Sequence, residues 1–280
     1  MSNQIMRDAD STIIEPKTGW ARLNIGELWR FKGLFYFLAW RDVKVKYRQT
    51  AIGILWAILQ PTLGMLLFTA IFSRLARMPS DNAPYPVFVF LGLLPWNYFA
   101  TVLGQSTTSL VGGANLITKI YFPRLIIPVS SAMAALLDLF IASSVLGVLM
   151  YFYGIRPGAS IVLVLPLLIL TLMNAIGFGL WLSALNVRYR DVQYAVPFLI
   201  QIWMFATPVV YPGTVIGGKW RLVLLLNPMT GVIEAMRASV LGHMAIPWGG
   251  LAVSALSGFL VFLSGLLYFK RVERYFADVI

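Results

Sequence analysis

Cysteine is missing from this 280-residue chain, and histidine occurs once, at His243. The first absence excludes a disulfide framework and thiol chemistry. The second, with 11 acidic residues scattered along the chain, leaves no cluster with metal-ligand spacing. Charge as a whole is scarce: Asp, Glu, Lys and Arg make up 12% of residues against 59% apolar, and the mean hydropathy is +0.78. A soluble domain carries about a quarter charged residues. A water-facing surface cannot be built from this composition, so the chain's solvent is mostly lipid. The first 20 residues also lack the apolar core of a signal peptide. The first membrane segment is therefore expected to be an uncleaved anchor, with the N-terminus in the cytoplasm. The formal net charge of +11 reads as cytoplasmic loops facing anionic headgroups rather than as a nucleic-acid footprint.

What the chain does have is long apolar runs. At roughly 20 residues per crossing, they predict an all-α membrane protein with six spans, at about 52–72, 85–105, 126–153, 161–185, 194–211 and 251–269. These lie in one domain, 26–270, between a polar cytoplasmic N-terminus (1–25) and a cytoplasmic tail (271–280). Pro61 is expected to kink the first span and Pro95 to break the second. Gly26 to Trp40 alternates apolar and charged residues and reads as an amphipathic helix in the interface. The basic run Arg41, Lys44, Lys46 and Arg48 follows, too costly to enter hydrocarbon. Arg74 to Asn82 reads as a polar turn. Ser106 to Arg124 is too polar to span and reads as a short amphipathic helix, with Leu110, Ala114, Ile117 and Tyr121 on one side and Pro123 as its stop. Such a rigid piece between spans suits a membrane domain pushed by a motor subunit, but a plain interfacial helix has the same composition. Pro212 to Pro247, punctuated by Gly and Pro, reads as helices that dip into the bilayer without crossing it. With the N-terminus inside, only Arg74, Arg77, Arg156, Lys219, Arg221 and Arg237 of the 22 basic residues fall outside, as the positive-inside rule asks.

Few residues invite chemistry. Gly213 to Trp220 comes near a phosphate-binding loop, but Trp220 stands where a hydroxyl must ligate magnesium and no strand precedes it. Asp138 is the one carboxylate deep in a predicted span. It is either a proton relay or substrate contact, or a polar anchor bonded to Ser143, Ser144 or a neighbouring helix; without a second relay group the anchor is favoured. Aromatics form 14% of the chain. Those near span ends suit headgroup level. Trp56, Phe68, Phe72, Phe198, Trp203 and Phe205 lie within spans, where they could stack on sugar rings in a channel or simply pack between helices.

Taken in order, several strings resemble the type-2 ABC exporter permeases, in the branch that moves O-antigen, capsule or teichoic acid chains. They are Lys46 to Trp56, Gln60-Pro61, Gly92-Leu-Leu-Pro95-Trp96, Asn115 to Arg124, Leu185 to Asp191, Thr207 to Tyr211, Leu226-Asn227-Pro228 and Arg237 to Gly242. The basic residues of the first outer loop depart from that pattern. The resemblance implies a half-transporter without its own ATPase site: a homodimer in the bacterial inner membrane, both termini cytoplasmic, with two cytoplasmic ABC ATPase subunits beneath. Those subunits would hold the ATP and magnesium, so this chain is expected to carry no cofactor. The implied substrate is a lipid-linked glycan, and no nucleic acid is involved. Asn115, Leu116, Lys119, Phe122, Pro123 and Arg124 would couple to the ATPase. Arg41, Lys44, Lys46, Arg48, Arg188, Arg190 and Asp191 would surround the cytoplasmic mouth. A type-2 exporter of a small drug or lipid is the alternative. An ion-coupled carrier fits less well, since it needs charged pairs within spans and inverted repeats, and a membrane glycosyltransferase needs a loop carboxylate cluster that the scattered acids do not form.

Overall fold

The computed structural model of the chain describes residues 25–48 and 53–276. The polar N-terminus, residues 49–52 of the Lys46 to Trp56 string, and the last four residues lie outside them. The described residues form α1 (Ile25–Arg30), α2 (Lys32–Arg48), α3 (Trp56–Phe68), α4 (Tyr85–Gly112), α5 (Ala114–Lys119), α6 (Ile126–Phe152), α7 (Val164–Arg188), α8 (Val192–Phe205), α9 (Lys219–Leu226), α10 (Pro228–Leu241) and α11 (Trp248–Val272). The expected all-helical fold is present, with several departures in detail.

Among the described residues, five segments are long and apolar enough to cross a bilayer: Gly53–Leu75, Tyr85–Gly112, Ile126–Phe152, Ala159–Arg188 and Trp248–Tyr275. The fifth expected span, 194–211, is not a long helix. α8 has 14 residues, about 21 Å at 1.5 Å per residue, and 206–211 form a turn. The second span runs longer than expected. Pro95 lies inside a continuous α4 of 28 residues, and Ser106–Gly112 belong to that helix rather than to a separate one. The reason is that the polar residues of this stretch bond within the helix or to neighbours. Thr107 Oγ1 donates to the Leu103 carbonyl at 2.6 Å, and Ser106 Oγ meets Ser131 Oγ at 3.2 Å. Gly113 then ends α4, its N–H reaching the Ser109 carbonyl at 2.9 Å, so α5 alone is the short helix between spans. α3 likewise continues through Pro61. The basic run at 41–48 is helical, forming the second half of α2.

α4 is the axis of the bundle. α6 and α7 pack along it, α3 lies against α4 and α6, and α8 lies against α4 and α7. Its first half is enclosed: Val87, Phe88, Val89, Phe90 and Leu91 are 0% exposed. α10 closes that end. Asn227 caps it by accepting the Met229 N–H at 3.1 Å, Pro228 supplies the first turn, and Gly242 ends it at φ 73°.

The turn after α8 leaves backbone carbonyls that no helix satisfies. Arg237, on α10 and 1% exposed, donates to the carbonyls of Val209 (2.5 Å), Phe88 (3.1 Å) and Tyr211 (3.4 Å), with its guanidinium 3.6 Å from the Phe88 ring centre. Tyr85 Oη donates to the Val210 carbonyl at 2.6 Å. Arg237, counted by sequence among the outer-side charges, is therefore a buried structural cation. Gly92 sits against this knot. A Cβ there would meet the Val209 carbonyl and stand 2.7 Å from Arg237 Nη2, which explains a glycine in the Gly92-Leu-Leu-Pro95-Trp96 string. Gly92→Ala is expected to destabilise the protein by about 1–3 kcal/mol through overpacking. Thermal unfolding in detergent should show a lowered Tm, whereas Gly104→Ala, with nothing within 4 Å of its Cβ position, should unfold as the wild type does.

Candidate functional site

The end of the bundle opposite α10 gathers most of the residues singled out by sequence. α5 is a single exposed turn and a half, with Asn115 and Lys119 at the surface and Leu116 half-buried. Beyond it the chain turns inward. Phe122 is 4% exposed and belongs to an apolar cluster with Leu38, Leu110, Ile126, Phe269 and Phe276, and Pro123 is buried beside it. Arg124 ends the segment by reaching the last helix. Its backbone N–H donates to Glu273 Oε1 at 3.0 Å, and its guanidinium donates to the Glu273 carbonyl. Lys270 Nζ holds the other carboxylate oxygen at 2.7 Å. Glu273 was not legible as a site residue; its one local signal was Lys270, one helical turn before it.

α2 lies along α6, and its second half is fastened there by Asp138. Lys46 Nζ and Tyr47 Oη both donate to that carboxylate. Burial, then the neighbouring Asp138, push the Tyr47 phenol well above its ordinary pKa. Asp138 thus anchors a helix 91 and 92 residues earlier. Of the partners expected for Asp138, the neighbouring helix is the one found; Ser143 and Ser144 bond to carbonyls of their own helix. The opposite face of α2 is open. Tyr36 and Phe37, like Trp29 on α1, are more than 60% exposed, Tyr36 stacks on Trp40 at 6.5 Å, and Lys44 lies over Trp40 at 5.7 Å. Phe37, Trp40, Arg41, Lys44, Val45 and Arg48 line a shallow groove of about 310 Å³, and Arg41 pairs with Asp42 at 2.8 Å.

Arg188, Arg190 and Asp191 are exposed at the α7–α8 junction, where Arg188 lies 5.3 Å from the Tyr189 ring. The fixed member of that string is Asn186, 0% exposed. Its Nδ2 donates to the Thr107 carbonyl at 2.9 Å and its Oδ1 accepts from the Gln193 N–H at 3.1 Å, so one side chain ties α4, α7 and α8 together.

The structure separates the six aromatics. Trp56, Phe198 and Phe205 are exposed at 48%, 63% and 54%. Phe68 and Phe72 are half-buried against each other at 6.0 Å. Trp203 is half-buried among other rings, with ring centres 4.8 Å from Phe178, 5.1 Å from Phe99 and 6.3 Å from Trp96. Sequence reading passed over a different surface. From Asn97 onward one face of α4 opens, and it is polar: Asn97, Thr101 and Gln105 are partly exposed and Thr108 is exposed. At the phosphate-loop-like stretch, Arg221 Nη1 donates to the Gly213 carbonyl at 3.0 Å, and the Glu234 carboxylate fills the space a Gly213 side chain would take. An acid in the cradle is the wrong charge for phosphate.

Residues 33–241 match the ABC-2 type transporter family. The chain is 32% identical to an O-antigen export system permease protein RfbA of Myxococcus xanthus, covering 90% of this chain and 97% of that protein. It is 27% identical to an RfbA of Klebsiella pneumoniae over 92% of this chain and 98% of that one. It is 26% identical to the polysialic acid transport protein KpsM of Escherichia coli, covering 83% and 91%.

The anchoring of α2 can be tested directly. Asp138→Asn keeps an acceptor for Tyr47 and should leave α2 docked. Asp138→Leu removes both bonds, and amide exchange across 32–48 should accelerate about tenfold, the equivalent of roughly 1.4 kcal/mol. Unchanged exchange in Asp138→Leu would show that the apolar contacts suffice.

Proposed function

The chain belongs to the ABC-2 type transporter family; it is a multi-pass permease subunit whose ATPase resides in a partner, and on that footing we propose that it exports a lipid-linked polysaccharide from cytoplasm outward. In this reading the protein sits in a bacterial inner membrane with both termini and the α5 end in the cytoplasm. Two copies enclose the channel, two cytoplasmic ATPase subunits bind beneath α5, and ATP and magnesium are held there rather than by this chain. The exposed apolar faces of α3 and α8 (Leu63, Leu66, Leu67, Leu199 and Ile202) suit a second copy or lipid. Support for the cargo comes from the relatives, which align over nearly their whole length.

The observation that carries the mechanism is the attachment of α5. An exposed helix of six residues would absorb a push by bending if it hung on a loop. Here its trailing end is buried through Phe122 and bonded through Arg124 to Glu273, at the end of α11. α11 runs the length of the bundle against α7, with Gly265 packed on Gly177 and Gly177 in turn 2.7 Å from the Phe262 Cα when a Cβ is added. At its far end Ser254 Oγ accepts the Gly231 N–H of α10 at 2.9 Å. A displacement at α5 therefore reaches α10 through one helix. Arg124 and Glu273 act as positioning residues, while Asn115 and Lys119 present the surface that an ATPase would touch. At the mouth, Arg188, Arg190 and the basic face of α2 would attract an anionic lipid head by charge.

Deleting the chain should abolish surface polysaccharide and leave drug sensitivity unchanged; altered drug sensitivity with intact polysaccharide would favour the small-molecule exporter. In the assembled complex, Glu273→Ala and Lys119→Glu should each cut export by about tenfold while ATP hydrolysis stays within about twofold. Normal export in both would refute the coupling role. The purified chain alone should hydrolyse no ATP.

A further inference from the structure

We propose that the open face of α4 is the channel wall on which the glycan slides, and that this wall is built for an uncharged, hydroxyl-rich chain and rejects a polyanion. The inference rests on the export reading above and names the substrate class that reading leaves open.

Asn97, Thr101, Gln105 and Thr108 follow one another at spacings of four, four and three residues, so they fall in one line on a helix. The line is about 16 Å long at 1.5 Å per residue. The other faces of the same stretch are buried: Phe99 and Val102 are 0% exposed, Leu103, Ser106 and Thr107 1%. What α4 leaves open is therefore its polar side. Lipid contact would be the wrong solvent for it, since an amide moved from water to hydrocarbon without a partner costs several kcal/mol, and polar side chains at membrane depth face protein or a wet cavity. Asn97, Thr101 and Gln105 make no side-chain hydrogen bond among the described residues, and Thr108 reaches only the carbonyls of its own helix. Between them Ala100 and Gly104 keep the surface low, and nothing lies within 4 Å of a Cβ built at Gly104.

The bordering helices agree in chemistry. α3 and α8 both pack against α4, and each carries an exposed glutamine in a mostly apolar, uncharged sequence, Gln60 and Gln201. Stretches 53–68, 85–112 and 192–205 contain no Asp, Glu, Lys, Arg or His at all. A passing sugar hydroxyl, which both donates and accepts, finds in each amide a donor and an acceptor. A chain with a carboxylate on every unit would be stripped of water with no cation to pair with, and that cost is not recovered.

The absence of cysteine makes the test direct. Single cysteines at Asn97, Thr101, Gln105 and Thr108 are introduced into the full complex with its ATPase, in lipid nanodiscs, and treated with a charged, membrane-impermeant thiol reagent. Phe140→Cys, 65% exposed on the apolar face of α6, is the lipid-facing control. The four stripe positions should react at least about tenfold faster than the control, as water-exposed thiolates do. Rates at all four no faster than the control would place the face in lipid or in a dry contact between copies and overturn the proposal. In the second arm, cells expressing the complex are supplied with a lipid-linked neutral hexose polymer or a lipid-linked sialic acid polymer. The neutral chain should be exported at least about tenfold faster, and Gln105→Glu should slow the neutral chain further. Equal export of both polymers by the wild type overturns the selectivity. Export of neither, with the labelling pattern intact, sinks the polysaccharide reading and leaves the wet wall standing.

Discussion

The bilayer imposes one demand on which this structure turns: a backbone carbonyl or amide at membrane depth must find its partner within the protein. Long helices meet it by themselves. The segment after α8 does not, because the helix stops at Phe205 and the chain turns before α9. Its carbonyls are taken up by side chains, Val209 and Tyr211 by Arg237, Val210 by Tyr85, and Phe205 by the Tyr211 hydroxyl at 2.9 Å. The Thr207 hydroxyl serves twice, donating to the Trp203 carbonyl and accepting from Asn227 Nδ2 at 2.7 Å. A short eighth helix and a buried arginine are thus two sides of one arrangement. Arg237 is tolerated because four contacts, three carbonyls and a ring face, replace its water. α10 must stand where it does to deliver it.

The same economy governs the remaining charges. Among the described residues the ion pairs are Arg41 with Asp42, Lys46 with Asp138, and Lys270 with Glu273. Lys270 with Glu273 is the more enclosed pair, at 18% and 17% exposure; the two more exposed pairs contribute little to stability, of the order of 0–1 kcal/mol. Their value is positional. Lys46 and Tyr47 set the height of α2 on α6, and Glu273 sets the α5 segment against α11. Arg237 apart, the interior of the bundle provides apolar packing, while the charged junctions at its rim register helices against one another.

Much of this was legible in the chain. The long spans, the helical start, the short piece before Arg124 and the non-spanning stretch before the last helix all follow from hydropathy and from where Gly and Pro fall. What was misread shares a physical cause. Ser106–Gly112 looked too polar to belong to a span because composition averages over faces, whereas Ser106, Thr107 and Leu110 are buried while Thr108 and Gly112 are exposed. Arg237 was counted with the outer-side charges, and nothing local announces the three carbonyls, supplied from α4 and the 209–211 turn, that bury it. Asp138 was favoured as an anchor, and of the partners weighed it is the neighbouring helix that holds it, through residues far back in the chain to which local sequence does not point. Glu273 went unnoticed for the same reason. Aromatic residues within spans cannot be sorted by sequence at all: Trp203 is packed among three rings, while Phe198, on the same helix, is exposed.

The polar face of α4 and the basic face of α2 make sense together once binding strengths are compared. A single amide–hydroxyl contact has a net worth of about 1 kcal/mol. Four of them held at once amount to about 4 kcal/mol, a millimolar interaction, enough to keep a chain centred and too weak to stop it. A charge pair in the same low-dielectric wall would be several times stronger and would have to be broken at every step, so it would trap the polymer instead of passing it. Charge is useful only where the cargo must be caught once. In the proposed reading that role falls to Arg41, Lys44 and Arg48 of α2 and to Arg188 and Arg190 beside α8, which lie outside the uncharged stretch 85–112. Conduction needs weak and repeated sites, capture needs one strong one, and the distribution of cations along this chain follows that difference.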